Sequence, residues 1–351
     1  MSTLIIPCAG KSSRFPNMKP KWMLTHPDGK LMIEKSLEGL NLDDFNRIII
    51  TIVKPHDDKY EAKLILEQVF ANNKKIEICV LDDFTSSASE TIYLTLTKMN
   101  VKGAFVIKDS DNYVSFKLAQ PLQNAIVGYD LSKHRNITNI PEKSFLIVNE
   151  QNIIEDIIEK QIVSKIICLG VYVFESVDSF INTYRELMQK NVKGEMFISH
   201  VISYMLTKND VIFTSIMADD YEDWGTLQEW KATQKRYRTY FIDVDGVILK
   251  NSGKYGKINW SNNKVLLEEN VKSIVELQNN GAQIVITTSR TEEYRKDLEN
   301  ILNNAGIFPY AILMGMNHAA RVVINDFAPT NPYPSAMCIT LPRNSAIKDY
   351  L

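Results

Sequence analysis

Three short segments carry residue types that can handle phosphate. The first, Cys8-Ala9-Gly10-Lys11-Ser12-Ser13-Arg14, directly follows the apolar run Leu4-Ile5-Ile6-Pro7. A glycine and two small hydroxyl residues straight after a strand let backbone N–H groups close on a triphosphate, and Arg14 and Lys21 add positive charge for its oxygens. The second, Asp109-Ser110-Asp111, ends the run Gly103–Lys108. Two carboxylates two residues apart at a strand's C-terminal end project into the crevice where open α/β sheets bind ligands, and hard oxygen donors there suit Mg²⁺. The third, Asp243-Val244-Asp245-Gly246, follows Tyr240-Phe241-Ile242. Aspartates at i and i+2 share a face, so one can attack phosphorus while the other protonates the leaving oxygen, and Gly246 lets the chain turn away sharply.

The elements that must position these segments are legible as apolar runs bounded by turn residues. They include Thr3–Pro7, Arg47–Val53, Lys75–Leu81, Ala104–Ile107, Ile166–Phe174, Tyr240–Ile242, Gln283–Thr287 and Arg321–Ile324. Between them lie stretches of helical period such as Lys30–Leu40, Asp58–Ala71, Ser89–Lys98, Val177–Gln189, Phe197–Leu206, Leu266–Asn279 and Thr291–Ala305. That alternation predicts an α/β protein with mostly parallel sheets. The charged, aromatic stretch Glu229–Arg238 precedes a new strand at Tyr240, which predicts two domains, 1–235 and 236–351.

Composition narrows the function classes. The 351 residues hold 40 Lys+Arg against 42 Asp+Glu, a formal charge of −2, which excludes nucleic-acid binding driven by bulk basic charge. No 18-residue apolar run and no signal-peptide pattern is present, so no membrane association and a cytoplasmic location are expected. Cys8, Cys79, Cys168 and Cys338 form no C-x-x-C pair, and His26, His56, His134, His200 and His318 show no H-x-x-x-H spacing. Carboxylates are therefore the expected ligands of any metal.

The stretch Ile5–Lys21 resembles the signature loop of the sugar-phosphate nucleotidyltransferases, with Ser12 where a glycine commonly precedes the Ser/Thr-Arg pair. The resemblance covers about residues 3–230. It implies that Ala9, Gly10, Ser12 and Ser13 cradle the nucleotide, that Arg14 and Lys21 act on its phosphates, and that Asp111 holds a Mg²⁺ together with Asp223 of Glu222-Asp223-Trp224-Gly225-Thr226. Read without it, Asp223 is a cap for the helix that begins near Thr226. On the sugar side it implies roles for Glu159 and Lys160, for Gly170 as the glycine allowing close approach of the acceptor, and for the helix opened by Glu195-Met196-Phe197. In the base-motif segment Asp83–Thr91, Ser87 or a neighbour stands where a glycine is usual, so the base is left open. CTP is slightly favoured, because compact cytidylyltransferases resemble this chain more than the longer UTP and dTTP enzymes do.

The third segment resembles the first motif of the haloacid-dehalogenase-like phosphatases, with Asp243 as nucleophile and Asp245 as acid/base. Gln283–Arg290 resembles the second motif, in which Thr288 holds the transferring phosphoryl group. Arg321–Ile324 followed by Asn325-Asp326-Phe327 resembles the fourth, which puts Mg²⁺ on Asp243, Asp245 and Asp326. Gly306–Ala320 contains no lysine for the third motif, and Arg321 or His318 is the expected substitute. Short spacings leave only Lys250–Asn263 as a flap, so the phosphatase is expected to be capless. A capless site must exclude water by forming a homo-oligomer, by docking on its neighbour or by taking a large substrate.

Together the resemblances imply two Rossmann-like three-layer domains. The function they imply is transfer of a nucleotidyl group from a nucleoside triphosphate to a phosphorylated sugar, polyol or other small alcohol, with phosphate hydrolysis by the C-terminal domain, in surface-polysaccharide precursor synthesis. The alternatives are a nucleotidyltransferase with a non-catalytic assembly or regulatory domain, and a nucleotide-sugar sensor.

Overall fold

The computed structural model describes residues 2–133, 139–190, 194–208, 211–254, 256–262, 264–326, 328 and 335–351. His134, Tyr255, Asn263 and Phe327 of the segments named above lie outside the described residues. The chain divides into two compact units, Met1–Trp230 and Lys231–Leu351.

The first unit contains strands β1 (Ser2–Pro7), β2 (Arg47–Val53), β3 (Ile76–Leu81), β4 (Ala104–Lys108), β5 (Asn112–Ser115), β6 (Ala125–Asp130), β7 (Ser144–Val148), β8 (Ile154–Glu159), β9 (Ile166–Phe174), β10 (Thr214–Met217) and β11 (Asp220–Asp223). Its helices are α1 (Met32–Leu37), α2 (Lys54–Tyr60), α3 (Ala62–Val69), α4 (Ala88–Lys98), α5 (Val177–Gln189) and α6 (Ile198–Thr207), and α7 (Leu227–Arg236) runs across the boundary. A nine-stranded sheet has the order β10-β6-β9-β4-β1-β2-β3, with the β7–β8 hairpin attached at β9. β1 is parallel to both β2 and β4, whereas β9 runs antiparallel to β4 and β6.

Continuous apolar runs suit strands covered on both faces. Along β1, Ile5 joins one core cluster with Ile49 of β2, while Leu4 and Ile6 join the opposite cluster with Ile48 and Ile50. This alternation follows from the two-residue period of a strand. The predicted helix Asp58–Ala71 is broken into α2 and α3 at Glu61, which takes a left-handed φ of 52°.

His56 in α2 is buried, its ring packed edge-on against Phe84 with centroids 5.0 Å apart, and its Nδ1 has no hydrogen-bond partner among the described residues. Burial, helped by the Lys59 charge, pushes its pKa down to about 4. The unfolded chain, with a histidine near 6.5, takes up the proton first as pH falls. The stability this residue contributes is therefore complete above pH 6.5 and is lost progressively towards pH 4, by on the order of 3 kcal/mol. Chemical denaturation from pH 7 to 4.5 is expected to show a shallower stability loss for His56→Phe than for the wild type. Parallel curves would exclude this titration.

The second unit has strands β12 (Thr239–Asp243), β13 (Gln283–Thr287) and β14 (Ala311–Leu313) and helices α8 (Gly256–Asn262), α9 (Glu268–Asn279) and α10 (Arg295–Asn304). Its parallel sheet has the order β12-β13-β14 over a core that includes Ile242, Ile274, Ile286, Leu298 and Leu302. The expected flap Lys250–Asn263 contains α8. The expected strand Arg321–Ile324 is not formed: the segment has no strand pairing, and Val322 and Ile324 are 80% and 93% exposed. Strand propensity in a β-branched run is realised only against a partner edge, and none is supplied to it among the described residues.

Candidate active site

The loop after β1 places its backbone at the sheet's C-terminal edge. Ser12, where the resemblance expects glycine, adopts the left-handed φ of 52° that glycine takes most readily. Two hydrogen bonds hold it there: its Oγ accepts from the Lys21 N–H at 3.1 Å, and its carbonyl accepts from the Phe15 N–H at 2.8 Å. No atom of the described residues lies within 4 Å of where a Cβ on Gly10 would stand, and Ser13 and Arg14 are exposed. Ala9 is buried, and its carbonyl accepts from the Thr85 N–H at 3.4 Å, tying this loop to the segment before α4. In that segment Ser87 caps α4, accepting from the Glu90 N–H at 3.2 Å, while Ser86 donates back to Glu90 at 2.6 Å.

The turn after β4 is held from beneath by a fully buried lysine. Lys108 Nζ donates to the Asp109 carbonyl at 2.6 Å, to the Asn112 carbonyl at 2.9 Å and to Asn112 Oδ1. The Asn112 amide in turn donates to the Leu169 carbonyl at 2.9 Å. Burial pushes Lys108 down to about 8 and Asp109 up to about 7, the Asp111 charge adding to the latter. Gly170 of β9, at a φ of 69°, leaves room for Asp109: a Cβ there would lie 2.1 Å from the Asp109 Oδ2. Within the chain, the close approach that this glycine permits is to Asp109.

Asp111 and Asp223 are brought together by the antiparallel ribbon β5–β11, in which Asp223 is paired with Asn112. The Trp224 N–H donates to the Asp111 carbonyl at 2.9 Å. A Cβ built on Gly225 would lie 3.2 Å from Asp111 Oδ2 and 3.1 Å from Asp223 Oδ1, so the two carboxylates converge on the space that this glycine leaves. Each is also met by a lysine: Lys21 pairs with Asp111, and Lys143 pairs with Asp223. Burial opposes the charge on Asp111, but Lys21 overrides it and holds this carboxyl below the usual range.

Asp223 is not the cap of the following helix. Thr226 is: its N–H and Oγ donate to Glu229 Oε2 at 3.0 and 2.9 Å, and its Oγ accepts from the Glu229 N–H at 3.4 Å. Burial and the Asp223 charge push Glu229 up to about 7. On the other side of the site, Glu159 accepts hydrogen bonds from Ser144 Oγ at 2.6 Å and Ser199 Oγ at 2.8 Å. Lys160, at a φ of 53°, turns outward to Glu142 at 3.2 Å. Glu195 is exposed, and His200 Nδ1 accepts from the Phe197 N–H at 3.3 Å at the start of α6.

In the second unit the residues at the strand ends are differently engaged. Arg290, fully buried, donates to both oxygens of Asp245 at 3.0 and 2.7 Å, and Asn259 donates to the same carboxylate at 3.2 Å. Thr288 Oγ accepts from the Arg290 N–H at 3.2 Å. Arg321 reaches Asp243 at 3.4 Å, and burial pushes the Asp243 carboxyl up against the pull of that arginine. Gly246 makes the expected turn at a φ of 102°. Asp326 sits on the exposed, unpaired segment, and His318 is exposed. Among the described residues no three His, Cys, Asp or Glu side chains cluster as metal ligands, so Asp243, Asp245 and Asp326 do not assemble as the trio expected. The missing fourth strand is the physical reason.

Four residues of these sites escape a reading of the sequence: Lys108, Lys143, Glu229 and Arg290. Lys143 lies in Pro141-Glu142-Lys143-Ser144, which reads as a polar surface turn. Arg290 had a local signal, since it stands two residues beyond Thr288 at a buried strand end.

No protein-family model matches the chain, and neither does any curated protein. Solved structures do resemble it. A nucleoside-diphosphate-sugar pyrophosphorylase from Vibrio cholerae is 20% identical, with a TM-score of 0.56 over 66% of this chain and 99% of that one. The inositol-1-phosphate CTP transferase from T. maritima is 15% identical, with a TM-score of 0.50 over 66% of this chain and 93% of that one. A UDP-glucose pyrophosphorylase is 13% identical, with a TM-score of 0.50 over 67% of this chain and 97% of that one. Over its N-terminal two-thirds, this chain shares the fold of these pyrophosphorylases and this CTP transferase.

Proposed function

We propose that the first unit transfers a nucleotidyl group from a nucleoside triphosphate to a phosphorylated sugar, polyol or similar small alcohol. A phosphate oxygen of the acceptor attacks the α-phosphorus, the bond to the β-phosphate oxygen breaks, and pyrophosphate leaves with that electron pair. The observation that carries this reading is the convergence of Asp111 and Asp223 beside Lys21, at the open end of the sheet. Two carboxylates are a sufficient protein donor set for Mg²⁺, which commonly completes its shell with water and substrate phosphates. Bound there, Mg²⁺ supplies charge neutralisation for the phosphates. Lys21 supplies a further cation, Arg14 stands exposed at the rim to meet the triphosphate, and the loop at 9–13 orients it. CTP is the favoured donor, on the resemblance to compact cytidylyltransferases and the likeness in fold to a CTP transferase.

For the second unit we propose phosphomonoester hydrolysis with Asp243 as nucleophile, Asp245 as acid/base and Thr288 on the phosphoryl group. The clamp of Arg290 on Asp245 favours the second reading, a non-hydrolytic assembly or regulatory module, because an aspartate that acts as an acid must be free to carry a proton. The setting we propose, surface-polysaccharide precursor synthesis, follows from the combination of activities. No helix among the described residues is long and apolar enough to cross a membrane.

Incubation with Mg²⁺, each of the four nucleoside triphosphates and a panel of phosphorylated sugars and alditols, with pyrophosphate and phosphate followed separately, tests both readings. Pyrophosphate release dependent on one acceptor is the expected result for the first unit. If phosphate is also released, Asp243→Asn should abolish it and spare pyrophosphate. Pyrophosphate alone across the panel selects the non-hydrolytic module, and release of neither overturns the nucleotidyltransferase reading.

A further inference from the structure

Lys143 lies 80 residues from Asp223 in the chain, yet its ammonium is paired with that carboxylate and also donates to the Tyr221 hydroxyl at 3.2 Å. The β7–β8 hairpin explains the placement. Ser144 is in register with Glu159, and the Lys160 N–H donates to the Lys143 carbonyl at 3.0 Å, so the two lysines stand across from each other at the hairpin's open end. They point differently. Lys143 is 17% exposed and turned to Asp223, whereas Lys160 is 39% exposed and turned to Glu142.

Lys143 therefore occupies one of the two carboxylates that a divalent cation needs. Two positive charges on one carboxylate repel, so the ammonium weakens the hold of Asp223 on a divalent cation. Lys143 has a second resting place nearby: the Tyr221 ring, whose centroid is 5.9 Å from Nζ, can face a displaced ammonium. A displaced Lys143 stays on the Glu159 side of the site, where an anionic group would be its new partner.

We propose that Lys143 is a placeholder cation, which neutralises Asp223 in the metal-free protein, yields it to a divalent cation and is thereby released to the acceptor's phosphate. The inference rests on the nucleotidyltransferase reading and adds to it the residue that couples metal entry to acceptor binding. It also accounts for the outward turn of Lys160, since the inward position at the hairpin end is already taken by Lys143.

Titration of the full chain with Mn²⁺ alone, followed by the loss of the free-ion EPR signal, tests the exchange without relying on turnover. Lys143→Met is expected to bind Mn²⁺ at least fivefold more tightly than wild type, because its competitor for Asp223 is gone. Lys143→Arg, which keeps the pair, should bind within twofold of wild type, and so should Lys160→Met. In an Asp223→Asn background the effect of Lys143→Met should vanish, which ties it to this carboxylate and not to a general change of charge. With the activity in hand, Lys143→Met at saturating Mg²⁺ should raise the KM for the phosphorylated acceptor at least tenfold and leave the KM for the nucleotide within threefold. Equal or weaker Mn²⁺ binding by a folded Lys143→Met, with wild type binding normally, overturns the placeholder and leaves the nucleotidyltransferase reading standing. Mn²⁺ binding by wild type that neither Asp111→Asn nor Asp223→Asn weakens overturns both.

Discussion

Replacement of Asp111 by asparagine is expected to lower pyrophosphate release at least a thousandfold while leaving the fold in place. Asparagine keeps the shape of the side chain, and the backbone contact from the Trp224 N–H to the residue-111 carbonyl does not depend on the carboxylate. The charge is what is lost. Asp111 is one of the two carboxylates described above as converging beside Gly225, and it is held ionised by Lys21, 90 residues earlier in the chain. A neutral amide is a poor ligand for Mg²⁺ and leaves the site with uncompensated lysines, so the developing charge on the α-phosphoryl group is met less well. A thousandfold corresponds to about 4 kcal/mol of transition-state stabilisation. The check is a coupled pyrophosphate assay beside thermal melts. Activity within tenfold of wild type, from a protein that melts normally, would remove Asp111 from the chemistry.

Gly170→Ala is expected to destabilise the first unit strongly. The added Cβ would lie 2.1 Å from Asp109 Oδ2 and 2.6 Å from its Cγ, far inside contact distance, and residue 170 sits at a φ of 69°. The left-handed conformation by itself costs a non-glycine residue roughly 1–2 kcal/mol. Asp109 cannot move away cheaply, because its N–H donates to the Gly170 carbonyl at 2.9 Å and its own carbonyl is held by Lys108. Overpacking of a rigid site adds roughly 1–3 kcal/mol. A total loss of about 3 kcal/mol or more should appear in urea denaturation. The double variant Asp109→Ala/Gly170→Ala should regain part of it, since the overlap with the carboxyl group is then gone, while the backbone strain and the 3.0 Å approach to the residue-109 Cβ remain. Additive losses would show that the glycine is needed for another reason.

How much of this was legible in the sequence depends on the distance over which each feature is decided. The strands β1, β2, β4, β9 and β13 could be read because each is an apolar run bounded by turn residues, and two-sided burial needs only that composition. Asp111 was legible because its position, just past the end of β4, is set by the same local signal. Arg321–Ile324 carried an equally good signal and forms no strand, because a strand also needs an edge to pair with. Ser12 shows the reverse case: a departure from the expected glycine is accommodated, since its hydroxyl gains the Lys21 N–H in return for the left-handed backbone.

Local pattern by itself determined the α/β class, the loop after β1 and the placement of carboxylates at strand ends. These follow from the period of a strand, the reach of a turn and the preferences of single residues, all settled within about ten residues of chain. Only the tertiary structure decided that Asp223 lies beside Asp111 through the β5–β11 ribbon, and that Gly170 accommodates Asp109. Only it decided that Lys143 rather than Lys160 faces the carboxylates, and that Arg290 holds Asp245. A charge on a side chain says that it must be paired or solvated, and only the fold, by bringing distant strand ends together, chooses its partner.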